Sequence, residues 1–301
     1  MVQPKNGTYY LGRIIKAGRL NHEKLIQAIL NPIPITFRNF AWSFINIQQK
    51  NINNIHFIYA KSCKYSPDTK VMVIDPEKGE ELSQEEPNLS IASSPFVYIP
   101  EFSGIAFLRI PENIEPKTFM ARFAALVKNK YDNFFINCKI EPIAGLRTFA
   151  MKLANLENIL KISASISPPN PLFNPLWESS KKYLETRGIN RMKIEEESAQ
   201  DKNISTNLPL LVKKVAEQTP NNPIIEQKYP IGDAAILMAA DGYGNGYVVG
   251  RQKEKTITIK TSETMKNFSF LKKAKPEALG DKAYKILKKI KEDRHMKHSE
   301  K

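Results

Sequence analysis

The sequence predicts an α+β protein, and three observations carry that expectation. Of its 301 residues, 42% are apolar and 25% charged, enough to bury a sizeable core. Short apolar runs bounded by Pro, Gly and Asn recur from Thr8 to Ser167 as strand signals. Between them a few segments switch to helical spacing, each with a start or stop residue. In full, the expectation is a strand-rich N-terminal region sharing or abutting a mixed sheet with a split βαβ, ferredoxin-like centre. A C-terminal hairpin and an amphipathic helix follow. The corresponding division is 1–94, 95–200 and 201–301.

Thr8 to Ile15 reads as a strand from its aromatic and branched residues. Asn21 is suited to cap a helix, because its side-chain oxygen can accept a first-turn amide. Leu25, Ile26, Ile29 and Leu30 then share a helix face until Pro32 stops it. Ala41 to Gln48, Ile55 to Ser62 and Lys70 to Ile74 are strand candidates, the last ended by Asp75-Pro76. The acidic segment Lys78 to Pro87 reads as a surface loop.

In the centre, Phe96 to Ile99 and Gly104 to Ile110 are apolar strands separated by Pro100-Glu101. Pro116 opens a helix with Phe119, Met120, Phe123, Ala124, Leu126 and Val127 on one face. Asn133 to Ile140 is a strand closed by Pro142, and Leu146 to Leu156 is a short amphipathic stretch. From Ile159 to Ser167 a strand alternates Ile162, Ala164 and Ile166 with Ser163 and Ser165. The run Pro168-Pro169-Asn170-Pro171 breaks the chain. A helix is expected over 175–187, with Leu176, Trp177 and Leu184 inward, and Gly188 ends it. Arg191 to Glu197 reads as a strand with Met192 and Ile194 on one side. From Gly104 to Ser198 the order is therefore that of a split βαβ motif.

Beyond Ser198, Leu208 to Glu217 is a short helix, and Pro220, Pro223 and Pro230 mark a connector. Asp233 to Ala240 is a strand or short helix. Asp241-Gly242-Tyr243-Gly244-Asn245-Gly246 reads as a hairpin turn, since Gly and Asn tolerate positive φ. Tyr247 to Val249 is extended, and Thr256 to Ile259 is a strand. Pro276 starts the last helix, where Leu279, Ala283, Ile286, Leu287 and Ile290 form one apolar stripe. Lys282, Lys285, Lys288, Lys289 and Lys291 occupy the rest of its surface.

Charge is the strongest functional signal. The chain carries 45 Lys+Arg against 31 Asp+Glu, a net charge of +14. Residues 251–301 hold 16 basic and 7 acidic side chains, or +9. In contrast, Asp75, Glu77, Glu80, Glu81, Glu85 and Glu86 crowd one short stretch against Lys78. A basic C-terminal surface attracts polyanions, although a lysine face also serves solubility. Lysine outnumbers arginine, which favours attraction to a phosphate backbone over base readout. The nucleic-acid-binding set is therefore Arg251, Lys253, Lys255, Lys260, Lys282, Lys285 and Lys289, with DNA preferred over RNA. One alternative is a protein-interaction or oligomerisation subunit docking through Leu279, Ala283, Ile286, Leu287 and Ile290, and a second is a metal-dependent nuclease.

Catalytic chemistry finds less support. His22, His56, His295 and His298 have no cysteine or acid at a metal-binding spacing, and neither Cys63 nor Cys138 has a local histidine partner. The glycine run lacks the Walker ending and the dinucleotide fingerprint. A metal-dependent nuclease would need clustered carboxylates. Asp233, Asp241 and Glu226 are near in sequence only, and Glu195, Glu196 and Glu197 span both faces of a strand. No catalytic residue, metal ligand or cofactor is assigned. The non-apolar face of the Ile159 strand offers Lys161, Ser163 and Ser165 but no stacking ring, so duplex or backbone binding is favoured over base stacking. No uncharged apolar run reaches the roughly 18 residues of a membrane span. The opening MVQPKNGTYY lacks a signal-peptide apolar region, and two cysteines are too few for a disulfide framework. These observations predict a cytoplasmic protein.

The segment Ile162-Ser163-Ala164-Ser165-Ile166-Ser167-Pro168-Pro169-Asn170-Pro171, the helix after it and Arg191-Met192-Lys193-Ile194 together resemble a bacterial and phage family of uncharacterised proteins. Asn245-Gly246-Tyr247-Val248-Val249-Gly250, continued by Lys255-Thr256-Ile257, belongs to the same resemblance, which covers about residues 95 to 265. The layout is also distantly similar to the lambdoid phage-exclusion protein RexA and to the DNA-binding component of the Kiwa defence system. The resemblance implies an oligomeric, nucleic-acid-binding defence or exclusion protein without an evident active site.

Overall fold

The computed structural model describes residues 5–52, 54–167, 186–189, 191–199, 202–217 and 229–293. Two antiparallel sheets organise them. The larger uses β1 (Asn6–Gly18), β2 (Ile35–Phe37), β3 (Phe40–Ile52), β4 (Ile55–Ser66), β7 (Leu89–Ile99), β8 (Gly104–Leu108), β9 (Ile136–Pro142) and β14 (Asn267–Leu271). Its order is β14-β1-β8-β7-β4-β3-β2, with β9 also paired to β1. Two-residue periodicity divides its side chains between two cores. Phe96, Tyr98, Ile105 and Phe107 turn toward α1 (His22–Leu30) and α2 (Pro116–Asn129). Val97, Ile99, Ala106 and Leu108 turn the other way, toward α6 (Pro276–Asp293).

Each helix sits where its stripe predicts. The Asn21 side chain accepts the Lys24 amide at 2.8 Å, capping α1. On α2, Phe119 stacks on Phe107 of the sheet with centroids 4.1 Å apart, an arrangement that adds to simple area burial. On α6, Leu279, Ala283, Leu287 and Ile290 are at most 3% exposed, and Ile286 packs at their edge. The apolar stripe of the last helix is thus occupied by the chain's own sheet.

A smaller sheet, ordered β11-β10-β12-β13, combines β10 (Asn158–Ile166), β11 (Met192–Glu197), β12 (Gly244–Gln252) and β13 (Lys255–Lys260). Ile162, Ala164, Ile166, Val248 and Ile259 form its buried face. They pack with α3 (Leu146–Ala154), α4 (Leu208–Glu217) and α5 (Ile231–Met238).

This division revises the split-motif expectation. β8 and β9 flank β1, each antiparallel to it, and therefore run parallel to each other with α2 as their crossover. The strand between them is the chain's first, and β10 and β11 join the second sheet. No four-stranded ferredoxin-like unit forms from the described central residues, because the 13-residue β1 is long enough to pair along both edges. Two shorter readings also change. The acidic segment expected as a loop contains β6 (Glu80–Glu85), paired with β5 (Lys70–Asp75). The Asp241–Gly246 run is not a hairpin turn. It leaves α5 through a π-type turn, Ala239–Tyr243, and enters β12. Gly242, at φ 84°, makes that left-handed break. A side chain at Gly246 would meet Ile236 Cδ1 at 2.8 Å, so its glycine lets α5 lie close on the sheet. The actual hairpin turn is Lys253-Glu254, with φ of 47° and 63°, the positive angles a two-residue hairpin requires. The expected helix over 175–187, apart from Thr186 and Arg187, lies outside the described residues, as do Pro168 to Pro171.

A buried polar joint ties the two sheets together. Arg13, on β1, donates from Nε to the Asp241 carbonyl at 2.7 Å and from Nη1 to the Phe102 carbonyl at 2.8 Å. Its guanidinium lies over the Tyr243 ring, 4.7 Å from the centroid. Asn245 Nδ2 donates to Glu141 Oε1 at 3.2 Å, and Lys139 pairs with the same carboxylate. The main-chain bond from Ala144 N to Ala240 O (2.7 Å) completes the joint, while Ser167 N to Tyr243 O (2.9 Å) extends the β10–β12 pairing beside it. A buried guanidinium needs such partners to offset its desolvation.

Candidate nucleic-acid interface

The predicted basic residues fall into two groups carried by two cores. Arg251, Lys253, Lys255 and Lys260 lie on the β12–β13 hairpin of the small sheet. Lys282, Lys285 and Lys289 are exposed on α6, whose neighbours include β3, β4, β7 and β8 of the large sheet. Within α6, Lys285 pairs with Asp281 at 2.7 Å. Closeness in sequence therefore does not join these seven cations into one site.

The hairpin group has a more developed setting. Val248 and Ile259 point into the core, so their strand neighbours Tyr247, Val249, Thr258 and Lys260 occupy the opposite face. Cross-strand register aligns Glu195, Ser163, Tyr247 and Lys260 in one row. The next row holds Glu197, Lys161, Val249 and Thr258. On the other side of the first row, Lys193, Ser165 and Asn245 are aligned. This outer face combines cations, hydroxyls, an amide and one aromatic ring.

Its electrostatics are organised around Glu195. Lys161 Nζ lies 2.6 Å from Glu195 Oε1 and 3.3 Å from Glu197 Oε2, while Lys193 Nζ lies 2.5 Å from Glu195 Oε2. The hydrogen bonds from Lys161 and then Lys193 hold the Glu195 carboxyl down at about 2. Glu195 in turn raises Lys161, so both groups stay charged throughout the neutral range. Ser163 Oγ donates to Glu195 Oε2 at 3.4 Å, and Arg191 Nε donates to Ser165 Oγ. At the hairpin base, Asn158 Oδ1 accepts the Arg251 amide at 3.2 Å, and Glu157 Oε1 accepts the Lys253 amide at 3.1 Å. These bonds anchor the turn that presents Lys253 and Lys255.

Tyr247 is the residue that single-strand reading overlooks. The Ile159 strand has no ring on its polar face, but its neighbour β12 places Tyr247 directly beside Ser163. The signal was the alternation of Tyr247 and Val249 with the core residue Val248. Its meaning depended on knowing which strand lay alongside.

The remaining candidates are dispersed. Asp233 is buried, receives the Thr206 hydroxyl at 2.7 Å to each carboxyl oxygen, and is raised by burial despite that bond. Asp241 belongs to the joint with Arg13, and Glu226 lies outside the described residues. His56 Nε2 is 2.8 Å from Gln49 Nε2, and His295 and His298 lie outside the described residues. Both cysteines are buried, and burial pushes the Cys138 thiol up to about 12, far from a reactive thiolate. Among the described residues, no three His, Cys, Asp or Glu side chains converge as metal ligands. Nor does any described helix have the length and apolarity to cross a membrane. An open groove of about 660 Å³ runs past the starts of α2 and α3, lined in part by Lys117, Thr148 and Lys266. None of the predicted basic residues lines it.

A family model described as "Domain of unknown function (DUF4747)" matches residues 21–222. No curated protein matches the chain.

Proposed function

The chain belongs to the DUF4747 family, whose description names no activity, and we propose from its surface chemistry that it is a non-enzymatic nucleic-acid-binding protein. In this reading the outer face and hairpin of the small sheet contact the phosphate backbone. Lys253, Lys255 and Lys260 supply charge, Arg251 supports the hairpin, and Tyr247 offers a ring to an unpaired base. The observation that carries the reading is the row of Ser163, Tyr247 and Lys260 on the sheet face turned away from the helices. Cations that track a backbone beside an aromatic platform are the usual physical means of holding single strands. Lys282, Lys285 and Lys289 of α6 add long-range attraction from a separate surface. The finer assignment, to a bacterial or prophage defence or exclusion system preferring DNA, rests on the likeness to RexA and the Kiwa DNA-binding component.

The test is a fluorescence anisotropy titration against single-stranded DNA, duplex DNA and RNA at two salt concentrations. Affinity is expected to fall with salt as counterions are released. Replacing Lys253, Lys255 and Lys260 together by Gln should weaken binding and reduce the log–log salt slope by about 1 for each phosphate no longer neutralised. Absence of binding to all three nucleic acids overturns the proposal. An unchanged affinity and slope in the triple variant moves the binding surface away from the hairpin.

A further inference from the structure

The pairing of β4 with β7 ends at Ser66 and Leu89, but the hairpin does not. Main-chain bonds from Asn88 N to Pro67 O (3.1 Å) and Glu86 N to Thr69 O (2.8 Å) carry it onward. It continues as β5 and β6, paired from Lys70↔Glu85 to Asp75↔Glu80. Among the described residues neither edge of this pair has a neighbouring strand, and the two strands form a sheet by themselves. Six residues per strand extend it roughly 20 Å at about 3.3 Å per residue. An isolated two-stranded hairpin is marginally stable in water.

Its surface is unusual for an element with no lateral support. Met72 and Ile74, on one face of β5, are 61% and 74% exposed. Residues 70–86 also contain six acids and two lysines, a net −4, leaving +18 on the remainder of the chain. Lys70 pairs with Glu85 at 3.6 Å, and the acids left over outnumber Lys78, so an apolar centre with a net acidic surround suits a surface with an apolar centre and the opposite charge. The chain has one. Arg147 and Met151 are exposed one turn apart on α3. On the adjoining α4, Leu210, Lys213 and Lys214 are exposed. Met151 and Leu210 are 70% and 60% exposed.

We infer that the β5–β6 arm docks on a second copy of this chain, placing Met72 and Ile74 against Met151 and Leu210 and its acids against Arg147, Lys213 and Lys214. Met72 and Ile74 remain exposed, so that face of the arm is not covered by the described residues of its own molecule. Each copy has both an arm and a receiving face, so reciprocal exchange closes a two-fold dimer. Association is attractive at low salt and weakens as salt screens the charges.

Sedimentation of the full chain without nucleic acid tests this directly and independently of the nucleic-acid proposal. At roughly 10 to 100 µM the wild type is expected at twice the 34.3 kDa chain mass, shifting toward monomer as salt rises. Met72→Ser with Ile74→Ser should yield a folded monomer, with circular dichroism retained and with the wild-type urea midpoint at a dilution where both proteins are monomeric. Glu77→Lys with Glu80→Lys, Glu81→Lys and Glu85→Lys, which turns the arm from −4 to +4, should yield a monomer, as should Arg147→Glu with Lys213→Glu and Lys214→Glu. Mixing those two charge-reversed proteins should restore the dimer, because one swapped and one native contact are then both complementary. A monomeric wild type throughout that range overturns the inference. So does an assembly whose mass survives the serine substitutions, or a mixture that remains monomeric.

Discussion

Two hairpins of opposite charge differ in what stands beside them. The β12–β13 hairpin, with Arg251, Lys253, Lys255 and Lys260 against Glu254, is braced by β10 and buries Val248 and Ile259 among three helices. The β5–β6 arm carries the acids, has no third strand among the described residues, and exposes Met72 and Ile74. Both have a strand of alternating apolar residues that reads as β structure, although the arm's second, acidic strand reads as a loop. The difference teaches that alternation specifies a face, whereas a neighbouring element determines whether that face becomes core or remains available. Substitutions in the basic hairpin therefore divide sharply by face, while those in the arm should leave the fold almost untouched.

The largest effect should break this contrast or establish it. Val248→Asp places an unpaired carboxylate in the small-sheet core and should destabilise the protein by about 4 kcal/mol or more. Ile74→Asp, by the same chemical change in the arm, should remain within about 0.5 kcal/mol of wild type. Urea denaturation measures both. Comparable losses at the two sites would show that the arm is also part of a cooperative core.

A smaller effect sharpens the functional half of the comparison. Tyr247→Ala should cost about 1 to 3 kcal/mol in single-stranded binding, the range for one stacked base, with duplex affinity little changed. Anisotropy with matched single and duplex oligonucleotides reads the difference. Equal losses for both would assign Tyr247 to packing of the sheet face.

The smallest effect is electrostatic. Glu195 should titrate at about 2 by carboxyl NMR, and Lys161→Met should move it upward because the first of its two lysine bonds is gone. A depressed carboxyl pKa stabilises the fold above the ordinary carboxylate range and loses that contribution as pH falls toward 2. Lys161→Met should therefore lower stability modestly at neutral pH, the pair being partly exposed and screened by solvent, and flatten the acid limb, the two proteins converging as pH falls toward 2. If Glu195 does not move, Lys193 alone holds it.

The sequence by itself determined much of the local structure. Asn21 and Pro32 bracket α1, Pro116 begins α2, and the stripe from Leu279 to Ile290 defines α6, because capping, proline geometry and helical periodicity act within a few residues. The same reading located the basic hairpin residues and the polar alternation of β10. It did not anticipate β2 or β14, which at three and five residues are too short to show a period, or the pairing of the acidic segment, where Leu82 is the one apolar residue of β6.

Only the tertiary structure decided how these pieces combine. β1 enters between β8 and β9, dividing the expected four-stranded motif between two sheets. The stripe on α6 packs within its own chain, and Tyr247 comes beside Ser163 although they are far apart in sequence. Strand pairing and helix docking depend on long-range register and burial, and neither periodicity nor charge specifies a partner across that distance. The α+β character was therefore legible residue by residue, while the division of its basic residues between two surfaces required the folded chain.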